Sequence, residues 1–274
     1  MAPTLFVSHG SPMHALLAGP TGDVWRAIGT RLGRPRAVVV VSAHWETSLP
    51  MASTAPRPET IHDFGGFPAE LFRLRYAAPG APEVAARAVA LLRQAGIAAS
   101  TNGVRGLDHG AWVPLRYLYP DADVPVAQLS VQPALDASHH LRVGRALAPL
   151  ADDGVVVLGS GHMTHNLGEW MRALDASGAA ATMAPSLGAA APYVEAFRGY
   201  VDDALQRHDD QALLDWQQRA PHAQRAHPTD EHFLPLLVAY GAAGPDASVE
   251  RVFDAVDSGV LAMDAYLFHP KAVT

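Results

Sequence analysis

Val155-Val156-Val157-Leu158-Gly159-Ser160-Gly161-His162-Met163-Thr164-His165 is the stretch from which the fold class is read. Four consecutive aliphatic residues, three of them valine, run without a polar interruption and stop at Gly-Ser-Gly. A run this short, apolar on both faces and closed by glycine, reads as a strand buried on both sides, as in the middle of a parallel sheet. Working outward, the same signature recurs at Leu5-Phe6-Val7, at Ala37 to Val41 and at Val124 to Val131. Helical patterns lie between such runs, at Ala81 to Ala95, Leu135 to Leu150 and Tyr193 to Leu205. This alternation predicts an α/β protein, a three-layer α/β/α sandwich around a mostly parallel or mixed central sheet. Ser248 to Phe268 predicts strands that close one edge. Ala176 to Ala191, a run of Ala, Gly, Ser, Pro and Met without firm periodicity, predicts a loop or mobile cover. No repeat or linker divides the chain, so residues 1–274 are read as a single domain.

The composition narrows the function by exclusion. Hydrophobic residues make up 49% and charged residues 17%, which excludes a disordered chain, and no apolar stretch is long enough to span a bilayer. Acidic residues number 27 against 20 basic ones, which argues against a nucleic-acid partner. Without cysteine there are no disulfides, thiolate nucleophiles, iron–sulfur clusters or cysteine-held zinc sites. Lys271 is the only lysine, which leaves almost no candidate for a Schiff base or a P-loop. The first apolar stretch has no basic residues ahead of it and is broken by Ser8-His9-Gly10, so a cytoplasmic protein with no membrane partner is expected. Histidine, at 14 residues, is left to carry the chemistry, as the commonest transition-metal ligand and acid/base side chain.

Three of the strand candidates lead into histidines: His9, His44, and the pair His162 and His165. In open α/β sheets ligands bind beyond the carboxyl ends of the strands, so residues that follow different strands converge in one crevice. A single strand-end histidine is more often a satisfied structural group; the repetition is what favours a shared metal or catalytic site. His14, His62, His139, His140, His208, His222 and His269 lack this placement and are read as surface or core residues. In His227-Pro228-Thr229-Asp230-Glu231-His232, Thr229 is predicted to cap a helix whose first turn holds His232. The positive end of that helix disfavours imidazolium, and the neutral ring is the form a metal binds. The same segment also reads as an ordinary capped helix with incidental histidines. Asp108 and His109, between Gly106 and Gly110, either orient a polar group toward a ligand or cap a helix beginning near Ala111.

Together, Ser8-His9-Gly10-Ser11-Pro12, Ser42-Ala43-His44-Trp45-Glu46, Asp63-Phe64-Gly65-Gly66-Phe67-Pro68, Gly106-Leu107-Asp108-His109-Gly110, His165-Asn166-Leu167 and His227 to His232 resemble the class III extradiol ring-cleavage dioxygenases, in particular their DOPA 4,5-dioxygenase type. The motifs stand in family order from residue 8 to about residue 244. The resemblance implies a LigB-like fold, a non-haem Fe(II) centre, and a small catecholic substrate that reacts with dioxygen. It further implies that His9 and His44 bind the metal and that His232 is the third ligand, where another branch of the family carries glutamate. Glu231 and His227 rank below His232 for that position, and His227 is placed behind the ligands. By the same resemblance His165 is the acid/base and His109 contacts substrate or dioxygen. His162 has no firm family counterpart and receives a supporting role, sharing a helical-turn face with His165. Asp63 to Phe67 and the Ala-rich cover are expected to line the pocket.

An all-histidine donor set departs from the two-histidine, one-carboxylate pattern usual for non-haem iron and also suits Zn(II), which is expected to compete for the site. Two rival readings follow: a zinc hydrolase using the same histidines, and a metal-binding relative without catalysis.

Overall fold

A computed structural model describes residues 1–179 and 182–271. Its frame is an eight-stranded mixed sheet. The strands in chain order are β1 (Thr4–Ser8), β2 (Ala37–Glu46), β3 (Met51–Ser53), β4 (Ser100–Asn102), β5 (Val126–Val131), β6 (Val155–Gly161), β7 (Ser248–Phe253), β8 (Val256–Asp257), β9 (Leu261–Ala262) and β10 (Ala265–His269). Across the sheet the order is β4-β3-β5-β2-β6-β1-β10-β7, while β8 and β9 form a separate ribbon. The four neighbours β5, β2, β6 and β1 are all parallel, and β10 and β7 close one edge antiparallel, as the C-terminal sequence predicts.

The valine runs are apolar throughout because both faces of the parallel centre are covered. Val39, Val41, Val155 and Val157 enter the core on one side, and Val38, Val40, Val156 and Leu158 enter the core on the other. Helices α1 (Gly19–Leu32), α2 (Pro82–Gln94), α3 (His109–Leu118) and α4 (Ala137–Leu147) come from the first half of the chain. The second half adds α5 (Leu167–Ser177), α6 (Pro192–Gln206), three short pieces α7 (Asp210–Leu214), α8 (Trp216–Arg219) and α9 (Ala223–Ala226), and α10 (Leu234–Ala243). Apolar residues of α1 and α3 pack on one side, and those of α2, α4, α6 and α10 on the other. All ten residues of α10 are buried, which explains a helix without a polar stripe: it lies between β6 and α4. No described helix is long and apolar enough to cross a membrane.

Two expectations change. Thr229 does not cap a helix: residues 228–233 form a turn, with Phe233 and Leu234 N–H donating to the Asp230 carbonyl, and α10 begins at Leu234 with Pro235 in its first turn. The Ala176 to Ala191 segment is not a uniform loop either. Ala176 and Ser177 finish α5, Gly178 caps it in the left-handed region, and Leu187 bridges to Asp257 on β8. Residues 180 and 181 of that segment lie outside the described residues.

Several buried histidines away from the strand ends make the fold acid-sensitive. His14, His140 and His227 are each pushed down from 6.5 to about 4, chiefly by burial. Each therefore takes up a proton in the unfolded chain before it does so in the folded one. Their stabilisation is complete above pH 6.5 and is lost as pH falls toward 4, by about 3 kcal/mol for a fully buried group. His227 donates from Nε2 to the Met163 carbonyl, and its Nδ1 has no partner, so a second ring proton there would be buried and unpaired. His227→Phe is expected to flatten the fall in urea-unfolding free energy between pH 7 and 4.5. Identical pH slopes for variant and wild type would remove His227 from the acid limb.

Candidate metal centre and active site

Three parallel strands end at one rim of the sheet, and the histidines gather there. His9 follows β1, and its N–H donates to the Gly161 carbonyl at the end of β6. His44 lies in the last turn-in of β2, where the pairing with β5 shifts register between Val41 and Glu46. His232 arrives from the opposite direction, in the turn before α10, and its carbonyl accepts from His162 N–H at 2.8 Å. Gly161 makes that approach possible, since a Cβ there would stand 2.1 Å from the His232 carbonyl oxygen. Gly10, at φ +70, turns the chain sharply after His9.

The three rings point the same nitrogen inward. His44 Nε2 is 3.1 Å from His9 Nε2 and 3.2 Å from His232 Nε2. The outer nitrogens are occupied elsewhere. His232 Nδ1 is 2.8 Å from a Glu231 carboxylate oxygen, which can only accept, so Nδ1 carries the proton. His9 Nδ1 is 3.1 Å from Ser160 Oγ, and Ser160 gives its own hydroxyl proton to the Gly110 carbonyl, so it too accepts from Nδ1–H. His44 Nδ1 faces Asp63 Oδ2 at 3.5 Å. The Nε2 lone pairs of His9 and His232 thus converge with His44, which is unfavourable without a cation between them. Burial first, then the charges of neighbouring histidines, holds all three pKa values well below 6.5, against a partial opposing pull from Asp63 on His44. Neutral imidazoles, outer nitrogens of His9 and His232 anchored by hydrogen bonds, and a spacing close to that of nitrogens sharing one ion at about 2.0–2.1 Å are what a divalent metal needs. His9, His44 and His232 fit such an ion; Glu231 is engaged with His232 Nδ1 instead, and His227 points to Met163.

A layer of polar residues holds the centre rigid. The Asp108 side chain caps α3 through Ala111 N–H, the helix-capping alternative of the sequence reading, and also accepts from Ser42, Arg105 and Gln128. Arg105 reaches on to the His44 carbonyl and stacks over Trp45, while the Ser42 hydroxyl accepts from His44 N–H. Asp63 grips His109 twice, accepting from its backbone N–H and from Nδ1, each at 2.9 Å. Burial alone would raise the Asp63 pKa; the His109 hydrogen bonds and the charges of His109 and His44 outweigh it and hold the carboxyl well below its usual range.

His165 lies face to face with His232, centroids 3.4 Å apart and planes 12° from parallel. Burial, then the charges of His162, His227 and His109, holds it neutral, well below 6.5. His162 does not share a helical turn with it, since no residue from 162 to 166 is helical and 163 and 164 form a bend; the rings are 5.5 Å apart. His162 Nε2 accepts from Gly10 N–H at 3.0 Å, which ties the loop after His9 to the end of β6, and burial pushes its pKa down to about 3. His227 sits among Phe197, Trp216 and Phe233, behind the segment that bears His162 and His165.

The rings of His9, His44, His109, His162, His165 and His232, though not His227, line a cavity of about 600 Å³ together with Asp63, Phe64 and Phe67. Trp170, Met171, Met183 and Leu261 also line it, and of these only Met183 lies in the Ala-rich stretch expected as cover. Glu46 stands at the mouth, and burial together with the charges of Glu231 and Asp230 raises its carboxyl above 4.5. Ser160, Ser42 and Arg105 carry no sequence signal of their roles; only the Gly-Ser-Gly ending of β6 hints that something passes close by.

Aromatic and aliphatic side chains beside a cluster of neutral histidines make a pocket that could hold a divalent metal next to a small apolar molecule, and the comparisons with known proteins give the class. Residues 2–263 match the family described as the catalytic LigB subunit of aromatic ring-opening dioxygenase, and the chain belongs to that family. Similar proteins include the 4,5-DOPA dioxygenase extradiol of Beta vulgaris, 41% identical over 97% of this chain and 96% of that protein. The protein of the same name from Escherichia coli K12 is 36% identical, over 95% and 92%. A crystal structure of an uncharacterized Escherichia coli K12 protein superposes with a TM-score of 0.78 at 32% identity, covering 97% of this chain and 99% of that one. The α/β fold, the family and the class of enzyme, an aromatic ring-opening dioxygenase acting with dioxygen, agree with the expectations from sequence.

Proposed function

We propose that the chain is an iron(II)-dependent extradiol dioxygenase that opens a DOPA-like catechol beside its diol to give a muconic semialdehyde. The observation that carries this reading is the convergence of three Nε2 atoms at 3.1 and 3.2 Å, with the outer nitrogens of His9 and His232 anchored. Iron(II), when bound by His9, His44 and His232, supplies the redox-active centre that reaction with dioxygen requires and that zinc lacks. The protein supplies position and protons. Neutral His165, lining the cavity, takes the proton that a catechol hydroxyl loses on binding and returns it later in the reaction. His109, its Nδ1 committed to Asp63, offers Nε2 to the substrate or dioxygen. Phe64, Trp170 and Leu261 keep water from the ring. The ring carbon–carbon bond next to the diol breaks, both atoms of one dioxygen enter the product, and with a DOPA-like side chain the aldehyde then cyclises onto the amine. The names carried by the relatives from Beta vulgaris and Escherichia coli support the substrate class.

The test is to strip the protein, reload it anaerobically with iron(II) or zinc(II), and admit air with a panel of catechols that includes DOPA. A yellow ring-fission product is expected from the iron form alone. Ester or amide hydrolysis by the zinc form, with no oxygen uptake by the iron form on any catechol, would establish the hydrolase reading instead.

A further inference from the structure

We infer that Glu46 reads the charge of the substrate's side chain, so that the pocket takes a catechol bearing a cationic amine in preference to one bearing a carboxylate. The inference rests on the catechol reading above and goes on to the part of the substrate remote from the diol. A cavity of about 600 Å³ is larger than one catechol ring requires, so it has room for a substituent. Three carboxylates line it, Glu46, Asp63 and Glu231, and among the described residues no lysine or arginine does. Two of the three are committed: Asp63 to His109, and Glu231 to His232 and Thr229. Arg105, beside His44, is committed to Asp108 and the His44 carbonyl. Glu46 is the exposed last residue of β2; its carboxylate has no hydrogen bond or ion pair among the described residues, and it stands where a substituent would leave the pocket.

The charges favour a cation. Neutral histidines add none, a divalent ion adds two, and a catechol that has given up one proton brings one negative charge to three carboxylates. The occupied site is therefore negative before the side chain is counted. Walls of Phe64, Phe67, Trp170 and Met171 lower the local dielectric and strengthen that bias. A carboxylate on the substituent meets repulsion and no partner; an ammonium meets Glu46. In DOPA itself the ammonium turns to Glu46 and the carboxylate to solvent, and the amine without that carboxylate binds better.

The experiment compares three catechols of similar size with an aminoethyl, a propyl or a carboxyethyl chain at position 4. Dissociation constants are measured anaerobically by calorimetry on zinc-loaded protein, and kcat/KM in air on the iron form. The amine is expected to exceed the acid by about tenfold or more in both, with the neutral compound between them. Glu46→Gln should shrink the amine-to-acid ratio about fivefold or more, and Glu46→Lys should reverse it, the neutral compound serving as reference for any general loss. An acid that binds as well as the amine, or a ratio unmoved by both substitutions, overturns the inference. Ring opening without the charge order overturns this inference alone; the charge order in binding without ring opening overturns the dioxygenase reading alone; binding of none of the three overturns both.

Discussion

His44→Ala is expected to empty the metal centre. Of the three converging nitrogens proposed as ligands, His44 Nε2 is the one within 3.2 Å of both others, so removing it breaks up the trio. Loss of a residue that merely supports a ligand costs about 10- to 100-fold in metal affinity, and loss of a ligand is expected to cost more, at least about 10²-fold. His9→Ala and His232→Ala should behave alike, whereas His227→Phe, whose ring points to Met163, should keep about one ion per chain. Metal content by emission spectrometry after dialysis against a weak chelator reads this directly. Full occupancy in His232→Ala with loss in His227→Phe would show that the third ligand is misassigned.

The second large effect is expected at His165. Its ring stacks on His232, and its nitrogen lies close enough to Glu231 and His232 to share an ion with them, but it stands outside the His9, His44 and His232 trio, and the proposed reading gives it the proton and not the ion. His165→Gln keeps approximate volume and hydrogen-bonding capacity but cannot act as a base near neutral pH. kcat should fall by roughly 10²-fold or more, the usual scale for removing a general acid/base. Metal content and anaerobic catechol binding should stay within about threefold of wild type. Loss of metal together with activity would make His165 a ligand, and an unchanged kcat across pH 6 to 9 would pass the role to His109 or His162.

The parallel centre of the sheet was legible because its signal is local: buried valine runs bounded by turn residues need no knowledge of their neighbours. The gathering of His9, His44 and His165 followed from one topological fact, that parallel strands bring their carboxyl ends to one rim. The helix start at Thr229 was not legible, because a tertiary contact decides it. The His232 carbonyl is drawn to His162 N–H across Gly161, which holds residues 228–233 in a turn and delays the helix to Leu234. The anchors of the ligands were equally hidden. Ser160 looks like a turn serine, and its use as an acceptor for His9 depends on the Gly110 carbonyl taking its proton from 50 residues away. The contact of Glu231 with His232 Nδ1 likewise depends on which nitrogen of His232 turns inward.

The most direct measurement is the stoichiometry of dioxygen and catechol in the iron(II)-loaded protein, followed with an oxygen electrode while the substrate and its ring-fission product are quantified. Incorporation of both oxygen atoms requires one dioxygen consumed per catechol opened, with no hydrogen peroxide released, and that is the expected result. Consumption of catechol with no dioxygen uptake, or dioxygen uptake that yields peroxide and a quinone with the ring intact, would contradict extradiol cleavage at this site.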